Sequence, residues 1–270
     1  MSLPGRLTIA ACVTALLTAG GWFVRDTSRG PAPVSRHAPS PRSPAPAPVL
    51  REHAVAPAAI VPPVTPRSDA IDPPAPRTRY FGAREGDRIA LSFDDGPRPA
   101  STARVLAILR EHDAHATFFM LGEQVQRHPE AAAAVAAAGH ELGNHGWSHR
   151  SWKLLFPSQL QRELDDTADA IAHATGTTPH VVRPPFGRFP ESAVAIVHGR
   201  GDDLVLWSVD SLDSAGADAD TIARTVVDAA RPGDIVLLHD REWASVRALP
   251  QILAGLRRKG LRVVPVSQLD

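Results

Sequence analysis

The chain has 270 residues, 43% of them hydrophobic, which suits one domain of about 200 residues with its own core plus an appendage. Its 29 basic residues balance 29 acidic ones, so composition offers no electrostatic case for a nucleic-acid partner. The only cysteine is Cys12, which excludes a disulfide framework in the rest of the chain.

In chain order, the first feature is the uncharged run from Leu7 to Val24, 18 residues following Arg6. That length fits a signal-peptide core, with small residues for cleavage at Ala19 or Gly20, and it also fits a short membrane span. Residues 1–29 are therefore expected to be a signal peptide or an anchor, and the only contact with a membrane. Arg25, Arg29 and Arg36 on the C-terminal side oppose outward export by the positive-inside rule. The next segment favours it. Between residues 31 and 76 lie 14 of the 26 prolines, mixed with alanine, serine and arginine. Such a stretch buries too little surface to offset its ordering entropy, and its prolines hold it extended. Residues 30–79 are expected to be a spacer, residues 80–270 the folded domain, and the location extracytoplasmic.

From Tyr80 onward short apolar runs alternate with helical patterns. The runs at 88–93, 116–121, 140–145, 180–185, 204–209, 234–239 and 261–266 predict seven strands. Leu249, Ile252, Leu253 and Leu256 mark one buried helical face that Gly260 ends. This alternation predicts an α/β fold with a parallel sheet covered by helices. A seven-stranded barrel and an open doubly wound sheet both fit; no glycine-rich dinucleotide fingerprint follows the first strand, which disfavours the second.

The unusual polar residues fall at the C-terminal ends of these runs. Asp94 and Asp95 end the first, His145 and His149 follow the third, Arg183 closes the fourth, Asp210 and Asp213 follow the fifth, and His239 closes the sixth. In a parallel barrel those ends converge on one face, where barrel active sites are built. Singly, an Asp-Asp-Gly reads as a turn and a lone histidine as a structural group; their joint placement is what points to chemistry. The two histidines have the four-residue spacing of helical zinc proteases, but Gly146 stands where those enzymes need glutamate, so a loop is expected. Two imidazoles and one carboxylate still make a three-ligand site with an open position, the arrangement of hydrolytic zinc. One carboxylate of the pair would then ligate while the other stays free to take a proton.

"SFDDGP", "HGWSH", "RPPFG", "VDSLD" and "LLH", in this order and at these strand ends, resemble the five motifs of the polysaccharide deacetylase family, the NodB-homology domain or carbohydrate esterase family 4 (CE4). The resemblance spans residues 86–267. It implies a distorted (β/α) barrel and metal-dependent removal of acetyl groups from N-acetylated sugars, peptidoglycan or a chitin-like oligomer. It also implies one divalent ion, zinc in the first place with cobalt as an alternative, held by Asp95, His145 and His149. Asp94 would be the base and Arg183 its partner; His239 would protonate the leaving amine, oriented by Asp213. The Phe186 amide would help hold the oxyanion, and Leu237 would line the acetyl pocket.

The chain departs from the family pattern twice. Phe186 replaces a frequent tyrosine, and Ser214 replaces the usual tryptophan, leaving Trp207 or Trp243 to supply the pocket wall unless the pocket is wider. The expected partner is an acetylated polysaccharide, met by a monomer. Competing readings are a glycan-binding barrel without turnover, an esterase acting on O-acetylated polysaccharide such as xylan, and a metallophosphodiesterase, which commonly needs two metals and more ligands. A pure binder would not require Asp94 and His239 together with their separate partners.

Overall fold

The structure is a computed structural model that describes residues 75–270. Its elements run β1 (Thr78–Arg79), β2 (Arg88–Gly96), α1 (Pro99–Glu111), β3 (Thr117–Met120), α2 (Gly122–Arg127), α3 (Pro129–Ala137), β4 (Glu141–Asn144), α4 (Pro157–Thr175), β5 (Val181–Val182), α5 (Glu191–Gly199), β6 (Asp203–Val205), β7 (Val209–Asp210), α6 (Ala219–Ala229), β8 (Ile235–His239), α7 (Trp243–Arg258) and β9 (Arg262–Val263). Proline opens α1, α3 and α4, where the missing N–H costs no helical hydrogen bond. Along α4, Leu160, Leu164, Thr167, Ala168 and Ile171 form the buried stripe.

All strand pairings are parallel, in the order β1-β6-β5-β4-β3-β2-β8-β7, with β9 added to the start of β2. Six of the seven expected runs each hold one strand. The run 204–209 instead splits into β6 and β7, which lie six steps apart in the sheet. In a flat sheet six steps of about 4.8 Å would separate them by about 29 Å, whereas four residues reach at most about 14 Å. The sheet must therefore curl until its ends meet, and the chain itself crosses the seam. Leu206 N still donates to Arg79 O (2.7 Å) on the β1 side, and Ser208 N donates to Ile235 O (3.0 Å) on the β8 side. Only Trp207 stands between these anchors. This is the distorted barrel of the α/β class. The sheet begins at Thr78, so the boundary read at Tyr80 falls two residues inside it.

Side chains of β2 alternate between two cores, as strand geometry requires. Ile89, Leu91 and Phe93 pack outward against the helices, with Val105, Ile108, Leu109, Leu249 and Ile252. Ala90 points inward to Phe119, Val181, Val205 and Ile235. Among the described residues no helix is long and apolar enough to cross a membrane; the apolar run 7–24 and the proline-rich stretch up to residue 74 lie outside them.

Candidate active site

Period-two alternation would send Asp94 and Asp95 to opposite faces of β2. The register against β3 shifts between Asp94 and Gly96, and Asp95 takes a left-handed φ of 74°. This bulge turns the second carboxylate to the same side as the first. A non-glycine residue in that conformation costs roughly 1–3 kcal/mol and persists only where its surroundings hold it. His149 (φ 56°), Phe186 (62°) and Leu212 (64°) share it, all in loops around the same cavity.

His145 follows β4 directly, and its Nδ1 faces the Arg183 carbonyl at 2.8 Å. A carbonyl only accepts, so Nδ1 carries a proton and Nε2 is the nitrogen that faces the aspartates. That Nε2 lies 3.5 Å from Asp95 Oδ1, and His149 Nε2 lies 3.2 Å from the same oxygen. Asp95, His145 and His149 thus bring three ligand atoms within 4.8 Å of one another. Asp95 Oδ1 is buried and has no hydrogen-bond partner among the described residues. A buried, unpaired carboxylate oxygen beside two imidazole nitrogens fits a divalent cation in both charge and donor type. Burial works against the charge of Asp95, but His145, His149, His239 and Arg241 outweigh it and hold the carboxyl below its usual range. Burial lowers His149, favouring the neutral imidazole a metal needs.

The loop between the two histidines is held from α4. Glu163 accepts from the amides of Trp147 (2.7 Å) and Ser148 (2.9 Å) and from the Ser148 hydroxyl (2.6 Å). Asn144 adds a bond from Gly146 N to its side-chain oxygen (2.9 Å).

Arg183 is fully buried inside the barrel, its guanidinium 4.0 Å from the centre of the Phe119 ring. It donates to Asp94 Oδ1 (2.8 Å), Ser92 Oγ (2.8 Å), Val205 O (3.3 Å) and Leu206 O (2.9 Å). One side chain therefore holds the Asp94 carboxylate and the carbonyls where β6 leaves the sheet. Burial pulls the Arg183 pKa down from its usual value, against the opposing pull of Asp94.

Across the cavity, His239 closes β8. Asp213 Oδ1 lies 2.8 Å from His239 Nδ1 and accepts from Ser214 N at 2.7 Å; its Oδ2 accepts from His239 N (2.7 Å) and from Ser245 Oγ. Burial opposes charge on His239, but the Asp213 hydrogen bond and the nearby carboxylates raise it to about 9.

Asp94, Asp95, His145, His149 and His239 share a cavity of about 480 Å³ that Phe186, Trp207, Leu237 and Ser214 also line. Trp207 packs on Gly187, where a Cβ would come within 2.6 Å of the indole. Trp243 does not line this cavity, so Trp207 is the tryptophan beside Ser214. Asp210 lies at the rim and caps the Leu212 amide at 2.9 Å.

Four further residues belong to the arrangement. Arg241 pairs with Asp95 Oδ2 at 2.8 Å, and its place two residues after His239 was the available signal. Arg188 lines the mouth. Asp240 is buried, accepts from Thr102 Oγ1 and is pushed up to about 7 by burial. Glu163 stands on a helix 14 residues beyond His149, with no local pattern to mark it.

The polysaccharide deacetylase family profile matches residues 82–201. The chain is 37% identical over 182 residues to the peptidoglycan-N-acetylmuramic acid deacetylase PdaC of Bacillus subtilis, covering 67% of this chain and 38% of that protein, so it spans well under half of that relative. It is 35% identical over 207 residues to the chitooligosaccharide deacetylase of a Bradyrhizobium species, covering 71% and 94%. The solved structure of PdaC matches with a TM-score of 0.65 at 36% identity over 69% of this chain and 91% of that one. A CE4 family pseudoenzyme from Bacillus anthracis matches with a TM-score of 0.69 at 28% identity, over 74% and 70%. With a three-donor cluster at its strand ends and a 35% identical relative covered over nearly its whole length, the chain belongs to the polysaccharide deacetylase family.

Proposed function

We propose that this protein is a metal-dependent hydrolase that removes N-acetyl groups from an acetylated amino-sugar polysaccharide, peptidoglycan or a chitin-like oligomer. The observation that carries this reading is that two separately partnered groups, Asp94 with Arg183 and His239 with Asp213, face one cavity from either side of the three-donor cluster. A fold shared with a pseudoenzyme supports either outcome, but a mere binder has no use for both pairs.

Asp95, His145 and His149 would hold a divalent ion, zinc or cobalt. When bound, it supplies Lewis-acid charge that polarises the acetyl carbonyl and acidifies the attacking water. Asp94, held by the Arg183 guanidinium, takes the proton of that water. The Phe186 amide donates to the developing oxyanion, as a preorganised donor would. His239 gives its proton to the departing amine while Asp213 holds the ring by Nδ1. Leu237 and Trp207 form the wall against the acetyl methyl.

Residues 1–29 would deliver or anchor the chain outside the cytoplasm, and the residues from 30 to the start of β1 would space a monomeric catalytic domain from the membrane. Acetate release from peptidoglycan, chitin oligomers and acetylated xylan, with and without a chelator, tests the reading. Metal-dependent acetate release from the amino-sugar substrates is expected; binding without release under any divalent ion would overturn it.

A further inference from the structure

Trp243 opens α7 directly after the β8 loop, and its indole remains about half exposed (51%). It lines a second, open cleft of about 450 Å³ with Arg98, Ser101, Arg241 and Glu242. Arg241 also lines the candidate active-site cavity. Its guanidinium reaches Asp95 Oδ2 at 2.8 Å on one side and Glu242 Oε1 at 3.3 Å on the other. The two spaces therefore adjoin across one side chain.

A polysaccharide cannot present its reacting sugar alone; the units linked to it must lie along the surface leading away from the reacting pocket. The cleft beyond Arg241 continues that pocket. An exposed aromatic face in a cleft with arginine and glutamate offers a pyranose its two needs, an apolar platform for the C–H face and hydrogen-bonding partners for the hydroxyls. Isolated exposed aromatics need no explanation, but this one sits in a cleft joined to the site.

We infer that Trp243 and the cleft it shares with Arg241 form a subsite for the sugar next to the one being deacetylated, with the indole as the stacking platform. The inference rests on the deacetylase reading for the orientation of the polymer. Trp243 is a substrate-positioning residue, so its loss should act on binding of long substrates and not on the chemistry.

The test compares the metal-loaded full chain with Trp243→Ala and Trp243→Phe on N-acetylated chitopentaose and on an aryl acetate, which is too small to reach beyond Arg241. For the pentaose, Trp243→Ala should lower kcat/KM about tenfold, mainly through KM, which corresponds to about 1.4 kcal/mol of lost contact. Trp243→Phe should recover most of the loss, and the aryl acetate should change by no more than about twofold. An equal loss on both substrates, or no loss on the pentaose, would overturn the subsite. If the wild-type chain releases no acetate, the deacetylase reading fails separately. Pentaose binding by calorimetry then decides the cleft: about tenfold weaker binding by Trp243→Ala supports it, and unchanged binding removes it.

Discussion

At the scale of single residues, the site depends on two neighbouring aspartates doing different things because one of them leaves strand geometry. Asp94 stays in register and meets Arg183; Asp95 swings through a left-handed conformation and meets the histidines. Asp94→Asn keeps the size and a hydrogen bond to Arg183 but cannot take a proton. Turnover is expected to fall about 100- to 10,000-fold, with metal content unchanged by elemental analysis. His239 makes a prediction about pH. Its pKa rises from the ordinary 6.5 to about 9, despite burial, because of Asp213 and the nearby carboxylates. A raised pKa favours the protonated form, so the associated stability is fully present below about 6.5 and is lost as pH rises through about 9. If His239 is the acid, kcat follows the same direction, holding on the acid side of that limb and falling above it. Asp213→Asn should move the limb downward. A bound dication opposes the imidazolium, so the loaded enzyme should show its limb below that of His239 in the metal-free chain, measured by NMR titration.

At the scale of elements, the histidine loop is only as fixed as the helix that grips it. Glu163 on α4 accepts three hydrogen bonds from that loop, and glutamine has one acceptor oxygen to offer them. Glu163→Gln should weaken metal affinity about 10- to 100-fold, measured by competition with a chelator, while the fold remains by circular dichroism. How legible these elements were depends on where their cause lies. The apolar runs named β2, β3, β4 and β8 in place because burial of those strands is written locally. The break between β6 and β7 was hidden, since "LVLWSV" is continuous and apolar; what ends β6 is Arg183 on the Leu206 carbonyl and β8 on Ser208, both remote in sequence. β1 was missed because Thr78 and Arg79 carry no strand pattern and earn their place through pairing with Leu204 and Val205. The histidines, aspartates and Arg183 were legible as motifs, whereas Glu163 acts from a helix and left no pattern.

For the whole molecule, the described residues contain three hydrophobic clusters, the curled sheet and every group assigned to the cavity. Residues 75–270 alone are therefore expected to fold and to turn over a soluble oligosaccharide within about twofold of the full chain, since every group assigned to the cavity lies among them. The N-terminal part would instead decide where the protein resides, which fractionation of cells expressing both forms would read. A large loss of turnover in a shortened chain that still folds would place part of the linker at the site.

The position of β2 inside the sheet, between β3 and β8, has a consequence for biosynthesis. Among the described residues it is the first long strand to leave the ribosome, yet Ala90 pairs with Ile235, 145 positions later, and Arg88 pairs with Arg262. Until β8 has emerged, one flank of β2 is an open edge carrying Asp94. Such non-local closure delays folding, because loop entropy must be overcome before the pairing contributes. The nascent chain thus cannot acquire its site progressively from the N-terminus. A chain stopped at Pro232 should show no cooperative thermal transition and no metal binding, while exposing an edge open to aggregation.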